Sequence, residues 1–202
     1  SLVTAQHVDA SGAVDIANPA FREAVSTFLP DLAARLDAQE TTSRHGTQPL
    51  TIADLKRGNR KETRERVWQK LREIGIHWSN TLLREHPSLY ARAQLARQEI
   101  LGLQDEMLNK GNDGERLLLP KPKDLDRYLG VMLGPVEPMP HRAAAMMELL
   151  PSYLQFLVQL GLLSEDRARA EVASLGTTAE TTVTVLRKLT PELAPFVENA
   201  WK

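Results

Sequence analysis

Residues 141–163 read HRAAAMMELLPSYLQFLVQLGLL, and the interpretation of this stretch decides the fold. Between Ala143 and Leu163 the only charge is Glu148, and apolar side chains occupy every side of a helix drawn through it. A surface helix keeps a polar face, so one that is apolar nearly all round belongs in a core or a bilayer. Pro151 has no amide hydrogen to donate, and its ring clashes with the preceding turn. Two buried helical pieces are therefore expected, broken or kinked at Leu150 and Pro151. About 20 apolar residues span a bilayer, and this stretch is just long enough. Glu148, Ser152, Gln155 and Gln159 within it, the proline at mid-depth, and Glu165 and Asp166 just beyond favour a soluble core instead, because ionisable groups are costly at bilayer depth. No membrane partner is expected.

Composition points the same way. Of the 202 residues 42% are apolar and 25% charged, a balance that suits a globular chain rather than a disordered one. Aromatic residues make up only 5%, so Leu and Ala supply much of the apolar surface. Both are strong helix formers, whereas strands draw on Val, Ile and aromatic residues. A net charge of −1 gives no bulk reason to expect a nucleic-acid partner. The absence of Cys excludes disulfides, thiol catalysis and Cys-ligated zinc, and it fits the cytoplasmic location expected here. A start at Ser1 fits a processed terminus or a fragment of a longer chain.

The punctuation of the chain predicts helices in series. Residues 1–17 have weak periodicity and form a loosely attached arm. Residues 18–109 make an N-terminal helical region: Asn18 and Pro19 start a helix with Phe21, Val25, Phe28, Leu29, Leu32 and Leu36 on one face, and a polar linker follows near residues 40–50. Thr51 and Asp54 have the spacing of a capping box, as do Asn59 and Glu62. A helix from Arg60 to Ile74 should stop at Gly75, with a further piece capped by Ser79. From Pro87 to Asn109, Leu89, Ala93, Ala96, Ile100, Leu103 and Met107 recur at helical spacing. Residues 110–123 form a loop rich in Gly and Pro, in which Leu117–Leu119 could make a short strand. That loop separates a C-terminal helical bundle, residues 124–202, which could be a second domain. Within the bundle Ser164 should cap a helix that ends at Gly176, Thr177 should start the next, and Thr190 and Pro191 the last, with Leu193, Phe196, Val197 and Trp201 inward. The expected fold is all-α: an irregular helical bundle, with antiparallel neighbours around a central, Pro-interrupted helix at residues 141–163.

The segment LDRYLGVMLGP, followed by HRAAAMMELLPSYLQFLVQLGLL, resembles a helical module of uncharacterised bacterial proteins in which the form LPxxLxFLxxxGLL recurs. Here that form is Leu150, Pro151, Leu154, Phe156, Leu157, Gly161, Leu162 and Leu163. The resemblance covers the C-terminal part only. It implies an all-helical module and supplies no catalytic residue.

The best lead to chemistry is a basic run. Lys56, Arg57, Arg60, Lys61 and Arg64 lie close together, and on one continuous helix Arg57, Arg60, Lys61 and Arg64 share a face that turns apolar at Val67, Trp68 and Leu71. Cations at a helix N-terminus oppose its dipole, so they do nothing for the helix and are available to phosphates or an acidic partner. The simpler account is a solvated face with weak Glu62–Arg66 and Lys61–Glu65 pairs one turn apart. Among His7, His45, His77, His86 and His141 no pair has metal-ligand spacing, and no triad, phosphate loop or calcium loop is evident, so no catalytic residue, cofactor or metal is assigned. Met132, Met139, Met146 and Met147 fit core filling better than an adaptable binding face. The function expected is a non-enzymatic interaction or accessory module that takes a protein partner or associates with itself. The alternative is a nucleic-acid-binding protein that uses the basic helix at residues 56–72.

Overall fold

The computed structural model describes residues 51–56 and 61–202, with the side chains of its first helix described from residue 63 onward. The arm at residues 1–17, the helix begun by Asn18, the linker at residues 40–50, and the capping box begun by Asn59 lie outside the described residues, as do His7, His45, Arg57 and Arg60. Every regular element among the described residues is helical, and there are six α-helices: α1 Lys61–Glu85, α2 Tyr90–Asn109, α3 Pro122–Met132, α4 Pro140–Gln159, α5 Glu165–Leu189 and α6 Ala194–Ala200. The all-α bundle is thus the fold. Leu50–Lys202 forms one compact unit, so the connection between α2 and α3 lies inside it rather than between two domains.

Helix α4 is the centre of that unit. Ala143 to Met147, Leu149, Leu150, Tyr153, Leu154, Phe156 and Leu157 are all buried, and α2, α3, α5 and α6 pack against it. No helix among the described residues is long and apolar enough to cross a membrane. The final residues of the GLL form do not extend the helix. Gly161, at φ 71°, turns the chain, its N–H donating to the Val158 carbonyl at 2.9 Å while Leu162 N–H donates to that of Leu157 at 2.9 Å. This is a Schellman cap, with Leu162 and Leu157 both buried as its apolar pair. Gly111 closes α2 in the same way through Leu108 and Met107.

Of the break or kink expected at Pro151 there is no break: α4 runs through it as one helix. Proline in a helix interior leaves the carbonyl four residues earlier, that of Met147, without its intrahelical donor. Trp201 supplies one, its indole Nε1 donating to Met147 O at 2.7 Å from just beyond α6. Side chains of neighbouring elements can re-satisfy a backbone group freed by proline, and here the neighbour is the C-terminal end of the bundle.

Two glycines read as stops also prove to be interior. α1 continues through Gly75, where an added Cβ would come within 3.2 Å of Arg97 Cγ on α2. The glycine allows the two helices to approach rather than ending one of them. α5 continues through Gly176 because Ala168 and Leu175 before it, and Ala179, Val183 and Leu186 after it, keep one buried stripe. That burial outweighs the cost of about 1 kcal/mol for a helical glycine. A Cβ at Gly176 would meet nothing within 4 Å, and its φ is not positive. Gly176→Ala is therefore expected to stabilise the fold by about 0.5–1 kcal/mol, measured as a higher urea midpoint with an unchanged slope.

α1 and α2 form an antiparallel hairpin. Arg64, near the start of α1, pairs with Asp105 near the end of α2 at 3.4 Å, and Gly75 lies against Arg97 and Leu101 midway along both. α2 and α4 are joined by polar contacts of Arg92 with Glu148, Glu99 with Arg142 and Gln104 with Tyr153. Leu117–Leu119 is no strand. Gly114–Leu117 is a 3-10 turn, and Leu117, Leu118 and Leu119 are a buried plug beside the Ile52–Leu55 turn. The Thr51 box holds that second turn, with Thr51 N–H donating to Asp54 Oδ2 at 2.9 Å. Ser164 caps α5 as expected, accepting from Arg167 N–H at 3.3 Å.

Candidate functional site

Of the five residues of the basic run, Lys56 and Arg64 have described side chains. Lys56 follows the Ile52–Leu55 turn with extended backbone, φ −72° and ψ 129°, so it does not share a continuous helix with the others. Arg57 and Arg60 are outside the described residues, and Lys61 opens α1 with its side chain undescribed. Arg64 is engaged with Asp105. Further along α1, Lys70 pairs with Glu73 at 2.8 Å and Arg72 reaches Gln69 at 3.5 Å. Arg66 and Lys70 also lie near enough to Asp54 to help hold its carboxyl below the usual range, after the two hydrogen bonds from Thr51. The described part of the run is thus interleaved with acids. Val67, Leu71 and Ile74 form the core face of α1, with Trp68 packed partly against it.

The polar groups that the fold gathers most deeply lie elsewhere, between α2, α3 and α4. Glu99 of α2 has a side chain only 7% exposed, and both of its oxygens are occupied. Oε1 accepts from Arg142 Nη1 of α4 at 3.0 Å, and Oε2 accepts from Tyr128 Oη of α3 at 3.0 Å. Gly102 makes this possible, since a Cβ there would overlap the Tyr128 hydroxyl. Burial, and then the Glu99 carboxylate beside it, push the Tyr128 phenol well above its ordinary range. Hence the tyrosine keeps its proton and donates it to Glu99. A second pair lies along the same helices. Arg92 Nη1 donates to Glu148 Oε1 at 2.8 Å, and the Arg92 guanidinium stacks 4.5 Å from the centre of the Phe196 ring on α6. Burial raises the Glu148 carboxyl, opposed by Arg92. Deeper still, Gln104 Nε2 donates to Tyr153 Oη at 3.1 Å, and burial pushes the Tyr153 phenol up to about 12.

These groups hold helices together, and the phenols among them are poorly placed to move protons. General acid–base work calls for a group that titrates near the working pH and can reach a substrate. The Tyr128 and Tyr153 phenols, which burial keeps protonated, are instead fixed in charge. Sequence reasoning missed this cluster. Glu99, Tyr128 and Arg142 are far apart in the chain, and the one local signal was Glu148, a lone charge in an apolar stretch that demanded a partner.

The remaining candidates have ordinary places. His77 is exposed and meets Phe156 edge-on, with ring centres 5.2 Å apart, while His86 precedes the Pro87–Leu89 turn and His141 is exposed at the start of α4. No group of His, Asp and Glu among the described residues could hold a metal. Met132, Met146 and Met147 are buried, and Met139 packs partly against the core. Large apolar side chains remain exposed at Tyr90, Val131, Val136, Leu189 and Phe196. Val136, 97% exposed, sits in a connection closed by Met139 N–H donating to the Met132 carbonyl at 2.6 Å. Comparison with protein families, with curated proteins and with solved structures returns no match.

Proposed function

We propose that the chain is a non-enzymatic, cytoplasmic helical interaction or accessory module that acts through a protein partner or its own copies. The observation that supports this reading is how the polar groups between its helices are used. Glu99, Arg142, Tyr128, Arg92 and Glu148 are each committed to fastening one helix to another. The chemistry of the interior is therefore spent on rigidity, which suits a scaffold that presents a fixed surface. The likeness of residues 125–163 to a bacterial helical module is consistent with that role. The nucleic-acid alternative is weakened by the pairing of Arg64 with Asp105 and of Lys70 with Glu73.

Light scattering of the purified chain, together with a pull-down, tests the proposal. Self-association or capture of a defined partner supports it, and a strict monomer that captures nothing contradicts it. A parallel titration of labelled DNA and RNA at low salt separates the alternative. Binding that falls steeply as salt rises would replace the proposed reading, because release of counterions dominates phosphate recognition.

A further inference from the structure

Of the large apolar side chains left exposed among the described residues, the two most exposed belong to one short stretch. Val131, 70% exposed, is on the last turn of α3, and Val136, 97% exposed, is in the connection to α4. That connection is closed at its base. Met139 N–H donates to the Met132 carbonyl, Met132 is buried, and Leu133 and Met139 pack partly against the core. Gly134 folds back on the end of α3, where an added Cβ would come within 3.0 Å of the Gly130 carbonyl. Pro135 and Pro138 stiffen the exposed tip. Their spacing is that of a polyproline ligand, but the chain bends through residues 134–137, so the tip is offered as a closed loop rather than as an extended strand. A fixed backbone beneath an exposed apolar side chain lowers the ordering entropy that binding costs.

We infer that this loop is where the chain pairs with a second copy of itself across a two-fold axis, an inference that rests on the self-association reading of the proposed function. Charge points to that occupant. Next to Val136 is the exposed carboxylate of Glu137, and just after the loop come His141 and Arg142, both exposed. Arg142 donates to Glu99 through Nη1 and keeps 46% of its side chain in solvent. One short stretch thus carries an apolar centre, an acid and cations. A two-fold axis at Val136 sets the Glu137 of each copy against the His141 and Arg142 of the other, which is the self-complementary patch that an isologous dimer requires. The patch is smaller than the roughly 20–30 residues a side of a stable interface. A weak dimer is therefore expected, with a Kd on the order of 100 μM.

Sedimentation equilibrium of the full chain, up to about 1 mM, tests the inference. A monomer–dimer equilibrium is expected. Val136→Asp should weaken it about tenfold or more and leave the circular dichroism unchanged, because the side chain it replaces is almost wholly in solvent. Glu137→Lys and His141→Glu should each weaken pairing too, since each sets like charges face to face, and an equimolar mixture of these two chains should pair as the parent does. Position 141 lies in the first turn of α4, where an acid favours the helix, so pairing lost there is not folding lost. A chain that stays monomeric overturns the inference, as does a dimer that survives Val136→Asp or a mixture that fails to pair. A dimer indifferent to Val136 leaves self-association through another surface standing, and a monomer that still captures a protein leaves the proposed function standing. Only a monomer that captures nothing removes both.

Discussion

Leu154→Ala is expected to lower the unfolding free energy by about 3 kcal/mol, within the range of roughly 2–5 kcal/mol for truncating a buried leucine. Leu154 is fully buried in α4, the helix against which α2, α5 and α6 pack. Truncation therefore removes transfer free energy and leaves a cavity that rigid neighbours on several sides cannot collapse to fill. Its neighbour Gln155 is exposed, and Gln155→Ala should change stability by no more than about 0.5 kcal/mol. Urea unfolding of the two variants checks the orientation of the helix as well as its burial, since rotating α4 by one position would exchange the two results.

The second large effect belongs to Arg142. Removing it as Arg142→Ala leaves the Glu99 carboxylate nearly buried with only the Tyr128 hydroxyl to stabilise it. Breaking one side of a buried ion pair costs about 3–5 kcal/mol, but Arg142 is itself 46% exposed, so roughly 2–3 kcal/mol is expected. Urea unfolding of the variant and the parent measures the loss, and an unchanged midpoint would mean that the pair contributes nothing to stability.

The parts of the fold legible in the sequence are those set by local chemistry or by a long apolar period. The all-round apolar stretch marked α4 as the core, Ser164 and Thr51 marked their turns, and Ala93, Ala96, Ile100, Leu103 and Met107, periodic along α2, are buried. The misreadings share one cause. Gly75, Gly176 and Pro151 each carry a local signal for a helix end, and each is overridden by something distant: Arg97 and Leu101 across the hairpin, the continuing apolar stripe of α5 against its neighbours, and the Trp201 indole fifty residues away. A local rule states the cost of continuing a helix but not what offsets it. The same holds for the polar sites. Arg64 looked available as part of a basic run, and its partner Asp105 lies 41 positions on. The Glu99 cluster needs three helices to exist, and no spacing in the chain announces it.

A double-mutant cycle between Pro151 and Trp201 addresses most directly the claim that α4 is one continuous buried helix completed by the C-terminal tryptophan. In the parent, Trp201→Phe should cost about 1–2 kcal/mol, because Met147 O loses its donor and some ring contact is lost. In a Pro151→Ala background residue 151 regains an amide hydrogen that can bond Met147 O within the helix. The same Trp201→Phe change should then cost about 1 kcal/mol less. That coupling, measured by urea unfolding, is the result expected. An identical cost in both backgrounds would show that the tryptophan does not stand in for the missing amide, and would contradict the account.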